Sequence, residues 1–437
     1  MADRLTHKRI LTIAFPIVLS NATVPILGAV DTGVIGQLGA AAPIGAVGLG
    51  AIILSSLYWV FGFLRMGTTG MTAQAIGAKD APETAALLSR SLMIGITAGL
   101  AIILLQIPLF WAAFKLAPAS GEVETLARTY LKIRVFSAPA AIALYGINGW
   151  LIAHERTRLV LVLQFWMNGL NITLDLLFVL TFHWGIEGVA TATFLAEWSG
   201  LGLGLWLSRA GLASGLWRNW GQIFDPLKLR RMAVVNGDIM LRSVMLQAAF
   251  TSFLFLGARF GDTTLAANQV LLQFMYITAY AMDGFAYAAE ALIGQSLGAQ
   301  NRTVFRRSVY LTSFWGVVIT LVFTLAFWLW GFWAIDVMTT APDVRLEARR
   351  YMPWMVLAPL AGVACWMLDG IFIGATRTAD MRNMMLISVI VYVASLLLLL
   401  GPYGNHGLWA SLLLFFVARG LTLGWKYPGL EASVGQS

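Results

Sequence analysis

Cysteine is almost absent: Cys365 is alone among 437 residues, and a single thiol excludes an internal disulfide. Lying in the apolar run VACWML, it reads as a small packed hydrophobe rather than a reactive thiol. Charge is scarce too, at 11% against the roughly 25% of a soluble domain. Hydrophobic residues make up 59% and the mean hydropathy is +0.77, so no segment the size of a soluble domain is left over. The four histidines, His7, His154, His183 and His406, stand at the ends of apolar runs and lack metal-ligand spacing. There is no Walker sequence, nucleophile elbow, HExxH or Gly-rich phosphate loop. These absences argue against an enzyme and against ATP-driven work by this chain alone, and no cofactor is expected.

What the chain does have is apolar sequence in pieces of about 20 residues, the length a helix needs to cross a ~30 Å hydrocarbon core. Twelve such stretches are read: 10–35, 46–69, 91–116, 126–153, 159–182, 186–208, 230–257, 264–290, 305–333, 347–374, 383–400 and 407–425. The expected fold is an all-α polytopic membrane protein, with twelve transmembrane helices in two pseudo-symmetric six-helix bundles around a central cleft. MADRLTHKRILTIAF starts basic like a signal peptide, but its apolar run passes Val30 without a small-residue cleavage site, so it reads as a retained first helix. Residues 209–229, with Trp217, Trp220, Lys228 and several glycines, read as a cytoplasmic interfacial linker. It would join an N-terminal lobe, 1–208, to a C-terminal lobe, 230–437. The net charge of +8 sits in short loops, which is a topology signal rather than a sign of nucleic acid. Of the 29 Lys and Arg, 19 fall on one side and 8 on the other, with Arg65 and Arg242 inside spans. That excess places both termini in the cytoplasm and the chain in the cytoplasmic (inner or plasma) membrane.

The two halves repeat. AQAIGA (73–78) answers GQSLGA (294–299), and ARTY (127–130) answers ARRY (348–351). Asn148-Gly149 and Arg156-Thr157 answer Asp369-Gly370 and Arg377-Thr378. Ala78 to Ala299, Tyr130 to Tyr351 and Thr157 to Thr378 all advance by the same 221 residues. Six spans per copy give both copies one orientation, which suits a pathway between halves and alternating access by rocking of two bundles. One chain already holds both lobes, so a monomer is expected.

Acids inside spans cost at least ~2.5–3.5 kcal/mol unless they face protein or water. Asp31 lies in VPILGAVDTGVI and Asp175 in QFWMNGLNITLDLLFVL, where Asn168, Asn171 and Asp175 share one helix face. Two carboxylates in one low-dielectric pocket cannot both stay ionised cheaply, a property a proton carrier uses. With Asn171 and a hydroxyl such as Thr193, the same oxygens would make a hard site for Na⁺, so the residues leave H⁺ and Na⁺ open. Were these acids only packing residues of the repeat, the second half should carry one too. The counterpart of Asp175 instead falls in VYVASLLLLL. Pro16 and Pro25 interrupt the first helix, with Gly28 one turn before Asp31, so the helix is expected to bend. In the second half, Tyr276, Tyr280, Asp283, Tyr287 and Glu290 form a stripe with aromatic walls and acidic heads, suited to organic cations or to plain packing. Asp369 has no pairing neighbour and joins that substrate set. Asp238 and Arg242, four residues apart, are expected to neutralise each other, and Arg65 to snorkel as an anchor.

The chain resembles the multidrug and toxic compound extrusion (MATE) transporters, in the branch of the DNA-damage-inducible protein F. The resemblance spans nearly the whole length and rests on LRMGTTGMTAQAIGA (64–78), GDIMLRS (237–243), AMDGFAYAAEALIGQSLGA (281–299) and LDGIFIGATRTADMRN (368–383). It implies twelve helices in two lobes around a cleft, exchanging drug for H⁺ or Na⁺. By the same resemblance Asp31 is the protonation site, Asn171, Asp175 and Thr193 complete its network, and Tyr130 and Asn148 are the matching helix-4 residues. Pro16 corresponds to the bending proline. Other branches place a cation site among helix-7 and helix-10 acids, here Asp238 and Asp369, which Arg242 puts in doubt. The function read is secondary active efflux of amphipathic, mostly cationic compounds. The alternative is a lipid or lipid-linked sugar flippase of the related superfamily. It is weighed against six intramembrane acids, Asp31, Asp175, Asp238, Asp283, Glu290 and Asp369, facing only Arg65 and Arg242.

Overall fold

A computed structural model describes residues 5–37, 40–117, 119–212 and 215–435, so the first four residues of the basic start lie outside it. Among the described residues the chain is helical throughout its apolar sequence. In order these helices are α1 (His7–Gly36), α2 (Ala41–Trp59), α3 (Phe63–Gly77), α4 (Ala81–Leu104), α5 (Gln106–Leu116), α6 (Gly121–Arg134), α7 (Ala138–Ala153) and α8 (Thr157–Asp175). They continue with α9 (Gly185–Leu207), the short α10 (Arg209–Leu212) and α11 (Trp220–Ile223), α12 (Pro226–Gly257), α13 (Asp262–Gly298), α14 (Arg302–Met338), α15 (Pro342–Gly374) and α16 (Thr378–Ala432). Single 3₁₀ turns join α2 to α3 and α6 to α7, and a π-helical turn over Leu176–Thr181 extends α8. Among the described residues nine helices are long and apolar enough to cross a membrane, α9 and α13 not being among them. The last two predicted spans share α16, which breaks at Gly404 (φ 54°, ψ −131°) beside Pro402.

Two compact units emerge. One comprises Leu19–Thr72 and Asp80–Arg230, and the other Met1–Val18, Ala73–Lys79 and Arg231–Ser437; they are called the N-terminal and C-terminal units below. In the N-terminal unit α4 packs on α7, α8 on α9, and α6 on both α2 and α9. The α6–α7 run is its most buried span, at 78%, which makes it the unit's inner helix. In the C-terminal unit α15 sits against α13, α14 and α16 around Phe253, Phe274, Trp409 and Phe415. Towards its C-terminal end α14 exposes Trp328, Trp330, Phe332 and Trp333, as a lipid-facing end rich in aromatics should.

The linker is not a loose tether. Arg90, 2% exposed on α4, donates to the carbonyls of Ile223 (2.8 Å) and Gln222 (2.5 Å), while Glu83 takes Arg90 (2.7 Å), Lys228 (2.8 Å) and Gln222 (2.9 Å). Arg90 and Glu83 together therefore hold residues 222–228 onto the rest of the N-terminal unit.

The 221-residue repeat is written into the backbone as well. Lys79 and Gln300 (φ 59° and 52°) and Glu155 and Thr376 (φ 58° and 51°) form two equivalent pairs of left-handed residues, each closing a helix. At Gly298 an added Cβ would lie 2.0 Å from the Gln74 carbonyl, and at Gly77 it would lie 2.0 Å from the Gln295 carbonyl. Only glycine permits so close a backbone crossing. Gly298→Ala is therefore expected to cost about 1–3 kcal/mol or to prevent folding, because the atom in the way is backbone. Thermal unfolding of the detergent-purified variant beside Gly28→Ala, whose Cβ would meet nothing within 4 Å, checks this. Equal unfolding temperatures for the two would refute it.

Candidate functional site

In α1 the run from residue 21 to residue 33 contains no buried position, whereas Ile10, Ile13, Ala14, Pro16 and Ile17 before it are buried. Apolar packing therefore does little to hold this part of the helix, and polar contacts to α8 take over. Asn168 donates to Thr23 Oγ1 at 2.7 Å, and Asn171 donates to Asp31 Oδ1 at 3.2 Å. The same Asn171 amide donates to Asp175 Oδ2 at 2.6 Å, so one NH₂ group bridges two carboxyls. Those carboxyls also lie within hydrogen-bonding reach of each other. Asn171 Oδ1 and Asp175 Oδ1 are buried without a partner, which leaves unspent acceptors at the centre of the cluster. The expected face of Asn168, Asn171 and Asp175 is thus present, and Asp31 is brought to it. Helix α1 runs unbroken through Pro16, which is buried, and Pro25, which is exposed.

The other expected members sit differently. Thr193 is committed to the Val189 carbonyl at 3.0 Å. Asn148 keeps a buried Oδ1 without a partner. Tyr130, 3% exposed, packs its ring on Gly50 and accepts from Arg134 Nε at 3.4 Å. Arg134 and Glu197 are what the sequence reading missed. Their ion pair is two-pronged, at 2.7 and 3.1 Å, and Arg134 also bonds Ser137. The Arg134 charge reaches both Asp31 and Asp175. Both residues lie inside predicted spans, 126–153 and 186–208, so an ionisable group at span depth was the available signal.

In the C-terminal unit three expectations change. Arg242 does not neutralise Asp238; it bonds Asp369, which Arg419 of α16 also bonds, both on Oδ2. Asp369 is therefore a doubly paired carboxylate and not an isolated acid. Asp238 is taken by Arg382 (2.6 Å) and Thr378 (3.1 Å) from α16. Arg65 is 8% exposed, so it is buried and not a surface anchor. On α13, Tyr276 and Tyr280 are the more open, Asp283 and Tyr287 half-buried and Glu290 buried, so the stripe grades from surface to core.

The MatE family profile matches residues 16–177 and 239–398, one copy in each half of the repeat. The chain belongs to the MatE family. Members of this family are ion-coupled membrane transporters and not enzymes. DNA damage-inducible protein F of Escherichia coli (strain K12) is 39% identical over 96% of this chain and 91% of its own length. A probable multidrug resistance protein NorM of Pseudomonas aeruginosa is 26% identical over 96% and 89%. Among solved structures, the Vibrio cholerae MATE transporter VcmN in its bent form superposes with a TM-score of 0.86 over 98% of this chain and 97% of that one. At 22% identity that likeness speaks to the fold alone. Among the described residues, Arg65, Arg134, Arg242 and Arg419 of this MatE chain are buried within predicted spans, and Glu197 joins the acids. The balance of intramembrane charge is therefore closer than the sequence suggested.

Proposed function

We propose that the chain is a secondary active efflux antiporter of the inner membrane. It would export amphipathic, mostly cationic compounds in exchange for H⁺ by alternating access, with Asp31 as the switch. The observation that carries this reading is the Asp31–Asn171–Asp175 cluster on a stretch of α1 that polar contacts, not apolar packing, hold in place. Two ionised carboxylates within bonding reach of each other repel, and a single proton turns that repulsion into a hydrogen bond. Protonation also weakens the Asn171 contact to Asp31, since an amide donates more strongly to a charged oxygen than to a neutral one. Loading a proton thus loosens a polar contact between this part of α1 and α8, and unloading it restores the contact. A two-state helix biased by one proton is what coupled exchange requires.

Proton is preferred over Na⁺ for two reasons: the two carboxyls are drawn together on one amide donor, and Thr193 is turned to its own helix. Asp369 could not serve as a second cation site while two guanidiniums hold it. Purified protein in liposomes, given a pH gradient and a Na⁺ gradient in separate runs, tests the coupling ion. Movement of a fluorescent organic cation driven by the pH gradient in Na⁺-free buffer is expected. Transport that responds to Na⁺ alone would overturn the choice of ion and leave the exchange reading standing.

A further inference from the structure

Asp369 is outnumbered. Its one carboxylate faces the guanidiniums of Arg242 and Arg419, and both bond the same oxygen, Oδ2. The three residues carry one positive charge in excess and are buried at 8%, 6% and 2% exposure. The nearest acid along α12, Asp238, cannot relieve this, because Arg382 and Thr378 already take it. Three further guanidinium nitrogens, Arg242 Nε, Arg419 Nε and Arg419 Nη1, are buried without a protein acceptor. Leaving a donor of a charged group unsatisfied in the interior is costly, and burying an uncompensated charge costs more again. Close by lie Cys365, whose Sγ is turned to the Gly362 carbonyl, and the Phe415 ring under Arg419; neither supplies negative charge.

We infer that the Arg242–Asp369–Arg419 cluster of the C-terminal unit binds one monovalent anionic group, either a halide or the carboxylate of an amphipathic solute. Such a group would neutralise the excess charge and accept from the three idle donors. A guanidinium presents its N–H groups as a planar fork, so a halide would sit in the plane of the fork and a carboxylate would match it in two-pronged fashion. None of this depends on which ion drives exchange.

Unfolding of the purified full-length protein can be followed with a thiol-reactive dye, since Cys365 is buried and the chain has no second cysteine. Sodium chloride is compared at equal ionic strength with sodium gluconate, whose bulk keeps it out of a buried site. In a gluconate background, benzoate is compared with benzamide. A saturable rise in unfolding temperature is expected with chloride, with benzoate, or with both. Chloride alone would identify a halide site, and benzoate alone a solute carboxylate. Arg419→Leu leaves the neutral Arg242–Asp369 pair and is expected to lose the rise. Asp369→Asn removes the competing carboxylate and should lower the half-saturating concentration at least about tenfold, because a unit charge at contact range acts strongly in a protein interior. No saturable rise with either anion, or equal half-saturation in wild type and Asp369→Asn, would overturn the assignment, and the second comparison holds even if Arg419→Leu fails to fold.

Discussion

Asp31→Asn is expected to bring gradient-driven export down to the level of protein-free liposomes while leaving insertion and folding intact. Asparagine keeps the shape of the side chain and an oxygen for the Asn171 amide, so the 3.2 Å contact to α8 can persist. What disappears is the proton: the variant has nothing at this position to load or release. Position 31 lies in the part of α1 without buried residues, so the stability change should stay within about 0.5–1 kcal/mol, the range for a substitution away from tight packing. Loss of transport with an unchanged unfolding temperature is therefore the expected pair of results. Wild-type export in Asp31→Asn would remove the first-helix switch from the mechanism. Equal loss of export and of folded protein would assign Asp31 a structural role instead.

The contrast between what the sequence told and what it hid follows from the range of the interactions. The apolar stretches were legible because membrane thickness imposes a length on each helix separately. Local features show where the last two stretches part, since Pro402 and Gly404 stand at the break in α16. The repeat was legible because equal spacing is a property of the string itself, and the left-handed residues at 79, 155, 300 and 376 carry it into the backbone. Asn171 and Asp175 were found together because four residues is one helical turn. The same rule failed for Asp238 and Arg242. Although one turn apart, each finds a partner on another helix, Arg382 of α16 for the acid and Asp369 of α15 for the base. In a low-dielectric interior, charges pair with whatever the packing of helices brings to full contact, and that pairing is non-local. Arg134 and Arg419 were hidden for a related reason. Placed near span ends, they count as topology signals, yet the structure leaves them 7% and 2% exposed and pairs them with acids 63 and 50 residues away.

Arg134→Met is expected to cost about 3–5 kcal/mol, because it strands Glu197 in the interior of the N-terminal unit without its partner. It would also remove the donor to Tyr130 and the bond to Ser137, and Arg134 lies on the unit's most buried span. The double variant Arg134→Met, Glu197→Leu separates stability from function. With both charges gone and apolar groups of similar volume in their place, most of the lost stability should return, since buried ion pairs replaced by packed hydrophobes are often neutral or better. Export should not return with it. The Arg134 charge reaches Asp31 and Asp175, and without it the balance between their protonated and ionised forms shifts. Thermal unfolding of the single and double variants gives the first half of the result, and the pH profile of export by the double variant gives the second. A double variant as unstable as the single one would mean that the pair's worth lies in its hydrogen bonds to Tyr130 and Ser137. A pH profile identical to wild type would mean that Arg134 holds the bundle together and has no part in setting the proton affinity of the cluster.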